Sequence, residues 1–400
     1  MSFASRLTRH PIPHAPERAA EGWAALHDVD AALRPLVEGA AGSSPYLAGL
    51  IRKEAHWLSH ALAEPPEDVM TDLIAEAAAL APGDLDTGLR RLKRRAALIV
   101  ALADLGGLWA LHAVTRHWTE FADACLSAAL VTHVATEARR GRLPGMTEED
   151  AHRDGAGMVV LAMGKMGAGE LNYSSDIDLI CLFDDDRFEA AEVMEARAAF
   201  IRATRRIAAS LGDTTGEGYV FRTDLRLRPD ASVTPVCISM TAAERYYEAE
   251  GRSWERSAYI KARPAAGDIA AGTRFLDTLK PFVWRRHLDF AMVQDTMDMR
   301  QRIRDHKRLH GDLKLQGHDL KLGAGGIREI EFFAQTRQLV AGGRDPSLRQ
   351  RRTVKALSAL ARAGWVDRDA AGELAELYAH HREVEHRVQM IEDAQTHALP

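Results

Sequence analysis

Cysteine is scarce: three residues, Cys125, Cys181 and Cys237, stand far apart with neither metal-ligand nor redox spacing. They read as reduced, mostly buried thiols, and a disulfide framework is excluded. Aromatic residues are also few, at 6 % of the chain, while Ala/Leu/Arg/Glu-rich stretches are long, which tilts expectation toward helices. An excess of positive charge is lacking. The formal net charge is −5, which argues against general coating of nucleic acid. The N-terminus has no apolar signal core. The most apolar stretch, residues 96–114, is broken by Asp104, Gly106, Gly107 and His112 and reads as buried helix rather than a membrane span. The P-loop spacing is absent. These absences describe a cytoplasmic chain that uses neither nucleic acid nor membrane.

What is present falls into three stretches. Residues 1–150 are punctuated by Pro65-Pro66, Pro82-Gly83 and Pro144-Gly145, with helical periodicity between them. Residues 151–290 change character: β-like runs are expected at 158–163, 177–183, 219–227 and 258–262, with a helix over 191–211. Residues 291–400 turn helical again, interrupted by the glycine-rich loop of residues 323–326. The expectation is an α+β fold, a small mixed-sheet core flanked by a helical N-terminal region and a C-terminal helical domain.

The chemistry concentrates around residues 158–183. An apolar strand runs into the turn Gly164-Lys165-Met166-Gly167, and Asp176 and Asp178 follow at the head of a second apolar strand. Strand residues i and i+2 point to one side, so the two carboxylates stand together beside an amide-rich loop. Hard oxygen ligands beside a phosphate-sized cradle suit a Mg²⁺-nucleotide site. Residues 219–228 alternate at period two, placing Arg222, Asp224, Arg226 and Arg228 on one face. Asp224 can then complete a carboxylate trio while arginines neutralise phosphate oxygens.

This pattern resembles the nucleotidyltransferase fold of the DNA polymerase β superfamily. Within it, the chain is similar to the family of bifunctional glutamine synthetase adenylyltransferase/adenylyl-removing enzymes. The likeness rests on Ser174-Ser175-Asp176-Ile-Asp178-Leu, Asp224-Leu-Arg-Leu-Arg-Pro229, Gly251-Arg-Ser-Trp-Glu-Arg256, Ile260-Lys-Ala-Arg263, residues 321–332, Glu385-His-Arg-Val-Gln-Met390 and Gln395-Thr-His397. It is strong over residues 155–400. Alanine at position 162 replaces the first glycine of the family's loop string. The initiator Met and the Gly325-Gly-Ile-Arg-Glu-Ile-Glu-Phe332 wording resemble the N-terminal, adenylyl-removing half.

The resemblance implies phosphorolytic removal of AMP from an adenylyl-tyrosine of glutamine synthetase, releasing ADP, with regulation by a PII signalling protein and glutamine. It implies a helical region over 1–150, a nucleotidyltransferase core over 151–290 and a helical domain over 291–400. Asp176, Asp178 and Asp224 become ligands for Mg²⁺, two ions being expected. Gly164, Lys165, Gly167, Ser174 and Ser175 become phosphate-facing groups. Arg226, Arg228, Lys261 and Arg263 become cations for the AMP phosphate or the attacking phosphate. From the residues themselves, the 323–326 loop stands directly before an expected helix, an anion site through its N-terminus, on which Arg328 and Glu331 can pair; Glu331 is counted with the nucleotide-facing residues, and Glu331 or Glu329 can equally reach the metal site. Two alternatives stay open: ATP-dependent adenylylation of a glutamine synthetase tyrosine, and a non-catalytic nucleotide-sensing module. The i,i+4 pairs His56/His60 and His306/His310, the run Asp184-Asp185-Asp186 and the arginines of 349–352 are read as ordinary helix, turn and solvated-face positions. Trp57, Trp109 and Trp118 are read as core anchors.

Overall fold

A computed structural model describes residues 3–286, 298, 305 and 314–400. The fold is α+β: mostly helical around a five-stranded mixed sheet. Strand β1 (Met158–Ala162) pairs antiparallel with β2 (Ile177–Phe183) and, on its other edge, with β5 (Arg263–Gly267). The outer edge of β2 is shared end to end by two short parallel strands. β3 (Thr223–Asp224) takes its first half and β4 (Cys237–Ser239) its second.

β1, and β2 from Leu179 onward, read as unbroken apolar runs because both faces of the sheet are covered there. Met158, Val160, Leu179 and Cys181 join one apolar cluster with Trp118, Phe121 and Leu126 of the long Leu111–Arg139 helix and Phe200 of the Val193–Gly212 helix. Val159, Leu161, Ile180 and Leu182 face the other way, onto Tyr247, Phe275 and Leu279. The first cluster also takes in Leu33 to Ala138 of the N-terminal helices, so helical region and sheet share one core across position 150. The helices Ile327–Ala341, Thr353–Arg362 and Arg368–Met390 enclose a third cluster. The expected boundary at 290/291 and His306/His310 lie outside the described residues.

Several expectations change in detail. Residues 96–114 are buried as two helices, Leu85–Leu105 and one starting at Leu111, divided at the Gly106-Gly107 turn. The four-strand expectation fails twice. Of residues 219–227 only Thr223 and Asp224 are strand, because β4 occupies the rest of the β2 edge. Residues 258–262 close the helix Ser253–Tyr259 instead, and strand begins at Arg263. All three cysteines are buried and free. Trp109 and Trp118 are buried, and Trp57 is half-buried under Arg95. No helix among the described residues is long and apolar enough to cross a membrane.

Candidate active site

The sheet register builds the site. Asp178 lies directly opposite Asp224 across the parallel β2–β3 pair, and Asp176 sits two residues earlier on the same strand face. One ligand oxygen from each of the three lies within 4.8 Å of the others. The chain leaves β1 through a single helical turn, Gly164–Gly167, that packs over these carboxylates. Gly164 has φ +52°, and a Cβ there would lie 2.8 Å from Asp178 Oδ2, so only glycine lets the backbone approach that oxygen. At Gly167 a Cβ would meet the Lys261 carbonyl at 2.1 Å.

Each carboxylate has its own environment. Burial, reinforced by the charges of Asp176 and Asp224, pushes Asp178 up to about 6. Asp224 is pulled below the ordinary range by Arg226, whose Nε lies 2.9 Å from Oδ2 and whose backbone N–H donates to Oδ1 at 2.8 Å. Asp176 Oδ1 accepts from Gln395 Nε2 at 2.8 Å. Like charges this close repel unless a cation sits among them. Three hard oxygen donors with one partial counter-charge, the exposed Arg226, fit a cation of the Mg²⁺ type.

The trio forms one wall of a cavity of about 490 Å³. The same cavity is lined by cations, Lys165, Lys261, Lys321 and Arg328, with Glu331, Trp254 and Phe332 among them. Lys261 Nζ bonds Glu331 Oε1 at 2.7 Å and Thr353 Oγ1 at 3.3 Å. Burial would lower Lys261, but Glu331, by charge and hydrogen bond, together with Glu170 and Tyr378 outweighs it and holds the lysine above its usual value. Lys165 reaches Glu385 at 3.1 Å; there burial prevails and brings the lysine down to about 7.

Nine expected residues line this cavity: the three aspartates with Gly164, Lys165, Ser175, Arg226, Lys261 and Glu331. Four do not. Ser174 is buried, its hydroxyl and carbonyl taken by Arg222 and its N–H by Gln389. Arg228 folds back onto the carbonyls of Leu225, Ala231 and Thr234, because the chain turns after Asp224 instead of continuing as strand. Arg263 points away and pairs with Asp123 at 2.7 Å. Gly167 serves close packing and lines a different cavity. Glu331 reaches the cavity paired to Lys261, and Arg328 lies 3.8 Å from its other oxygen. Glu329 accepts the Gly325 N–H.

The other features fall largely as expected. His56 and His60 are exposed, their rings 5.0 Å apart. Asp184 caps a 3-10 turn over Asp185–Arg187. The glycine loop of residues 323–326 does precede a helix, capped at Gly326. The arginines of 349–352 precede their helix rather than open it, and bond backbone carbonyls.

Sequence reading missed the shell that holds the turn in place. Tyr378, Arg382, Glu385 and Gln389 recur at helical spacing on the Arg368–Met390 helix and are all buried. Arg382 bonds Asn172 Oδ1 and the Tyr378 hydroxyl, Glu385 takes Lys165, and Gln389 takes Ser174. Burial would raise Glu385, but Lys165, His397 and Arg382 outweigh it and keep it ionised. A polar stripe at spacings of three and four was the available signal.

A strand-turn-strand unit presenting three clustered carboxylates to a cation-walled cavity defines a nucleotidyltransferase-type protein. Residues 36–278 match the glutamate-ammonia ligase adenylyltransferase family, and residues 297–400 match the GlnD PII-uridylyltransferase family. The chain belongs to the glutamate-ammonia ligase adenylyltransferase family. It is 48 % identical over 402 residues to a bifunctional glutamine synthetase adenylyltransferase/adenylyl-removing enzyme of Rhodopseudomonas palustris strain TIE-1, covering 99 % of this chain and 40 % of that one. A Bradyrhizobium diazoefficiens protein of the same description is 50 % identical over 372 residues, covering 92 % and 37 %. The chain thus spans about two fifths of the length of these relatives.

Proposed function

We propose that this chain removes AMP from an adenylyl-tyrosine of glutamine synthetase by Mg²⁺-dependent phosphorolysis, releasing ADP. The observation that carries this is that one cavity is lined by both the Asp176, Asp178 and Asp224 cluster and the cations Lys165, Lys261, Lys321 and Arg328. Phosphorolysis brings two anions, the adenylyl phosphate and the attacking phosphate, into one cavity, and such a lining answers their charge. The wording of residues 325–332 supports the removing direction over the attaching one, and the relatives' descriptions name both.

Asp176, Asp178 and Asp224 would hold the cation, two ions being the expected number. When bound, Mg²⁺ supplies stabilisation of charge developing on the reacting oxygens. The chain's own groups do the rest. Asp178, whose carboxyl titrates at about 6 without a cation, is mostly ionised near pH 7 and so is ready to take one, and cation binding becomes proton-linked only as the pH falls below about 6. Arg226, 83 % exposed, is free to leave Asp224 for a phosphate oxygen. Lys261, fixed between Glu331 and Thr353, presents a permanent charge. In the balanced step a phosphate oxygen forms the new bond to the adenylyl phosphorus. The tyrosine oxygen leaves and takes up the proton that phosphate loses. Control by a PII signalling protein belongs to the same proposal.

The test is to mix the chain with adenylylated glutamine synthetase, Mg²⁺ and phosphate. ADP is expected, with a loss of about a thousandfold or more in Asp176→Asn or Asp178→Asn while the fold is kept. Incorporation of AMP from ATP into unmodified glutamine synthetase, without ADP release, would reverse the direction. Near-normal turnover in either variant would sink the site assignment.

A further inference from the structure

The turn that carries Gly164 and Lys165 has a second side. Behind it lies a separate cavity of about 700 Å³, bounded by residues 167–169, Trp284, Arg351, Arg352 and Lys355. None of the three clustered aspartates lines it.

Charge in this cavity is one-sided. Among the described residues Asp277 is the one acidic residue on its walls, and it pairs with Lys280 at 2.8 Å. Arg263 is answered by Asp123. Arg349 feels the charge of Asp345, but Arg351, Arg352 and Lys355 have no ion-pair partner among the described residues. The three arginines instead spend single Nε–H groups on backbone carbonyls: Arg349 on Gly342 at 2.7 Å, Arg351 on Ala262 at 3.0 Å and Arg352 on Ala168 at 3.3 Å. A guanidinium has five N–H donors, so most remain unused. Partial burial and the neighbouring charge of Arg263 both lower the pKa of Arg351. The Thr353–Arg362 helix also begins at this wall, with no side chain capping its first amides, so its positive end adds to the same field.

Unanswered like charge converging on a concave space is a site for an anion. A volume of this size falls within the roughly 300–1,000 Å³ range of small-ligand cavities. The face of Trp284, which Arg349 approaches at 5.5 Å from its centroid, offers a planar apolar surface beside the cations. We propose that this cavity binds a small polyphosphate-bearing ligand of nucleotide size, its phosphates on Arg351, Arg352 and Lys355. Binding needs no divalent cation and goes beyond the function proposed for the carboxylate cavity. The ligand would lie against the back of the catalytic turn, where Arg352 holds the Ala168 carbonyl and Arg263 the Met166 carbonyl.

The test is calorimetric titration of the 400-residue chain with ATP in EDTA, which removes the cation the carboxylate cavity requires. Saturable binding is expected, displaced by tripolyphosphate. It should weaken about tenfold in Arg351→Gln, and further in Arg351→Gln/Lys355→Gln. Asp178→Asn should bind as the parent does, and thermal melts should show all variants folded. Absence of binding in EDTA, equal affinity in the folded double variant, or loss in Asp178→Asn would overturn the proposal.

Discussion

Two buried lysine–glutamate pairs border the carboxylate cavity, and they behave differently. Lys165 Nζ lies 3.1 Å from Glu385, and Lys261 Nζ lies 2.7 Å from Glu331. Burial opposes the charge on both lysines. Around Lys261 the anionic side wins: the carboxylates of Glu331 and Glu170 lead the groups that outweigh burial and keep the ammonium charged. Around Lys165 the main carboxylate, Glu385, is shared out, and Glu331 adds only a weaker pull. Glu385 also serves His397 at 2.8 Å and Arg382 at 3.5 Å, while Arg382 and Lys321 repel the ammonium. The same two residue types thus give one permanent cation and one that titrates near neutrality. Neighbouring charge decides between them.

Truncation should break the comparison most visibly. Lys261→Met leaves the buried Glu331 with Arg328 at 3.8 Å, the Tyr378 hydroxyl at 3.4 Å and the more distant charge of Lys165, and urea unfolding should show a loss of about 3–5 kcal/mol. Lys165→Met leaves Glu385 with Arg382 and His397, so its loss should be less than half as large. Equal losses would mean that the two pairs are equivalent after all.

The pH dependence sharpens the same contrast. Lys165 titrates at about 7 in the fold against 10.5 when free. Between those values the unfolded chain holds a proton that the folded one lacks, so this group's contribution to stability rises with pH. Below about 7 its full cost is present. The stability of wild type relative to Lys165→Met should therefore climb from neutral toward alkaline pH by at most about 1.4 kcal/mol per unit. The same comparison with Lys261→Met should stay flat over that window. A flat Lys165 profile would contradict the assignment.

The smallest effect belongs to an exposed pair beside them. Arg226→Ala removes a guanidinium that is 83 % exposed, and should cost under about 1 kcal/mol in thermal or urea unfolding. Its signature is different: the Asp224 carboxyl should rise, readable by NMR titration, because Arg226 is what holds it down.

The parts of the site legible in sequence were those set by local pattern. Apolar runs ending at Ala162 and starting at Ile177, with a glycine turn between, located both strands and two of the three carboxylates. Asp224 was found too, though its strand is two residues long. A period of two across residues 219–227 could not reveal that β4 takes the rest of the edge, or that Arg228 closes a loop. The short apolar run at 258–262 fits strand or helix equally by pattern, and here the helix Ser253–Tyr259 prevails. Glu385, Gln389 and Gln395 act on residues more than 200 positions away, which no local periodicity encodes.

The proposed divalent-cation site is the cluster of Asp176, Asp178 and Asp224. Mn²⁺ binding to the chain, followed by electron paramagnetic resonance, tests it without any substrate. Saturable binding is expected near neutral pH. It should be weaker at about pH 5, where Asp178 takes up its proton, and at least about tenfold weaker in Asp178→Asn. Equal Mn²⁺ affinity in wild type and Asp178→Asn would contradict the account.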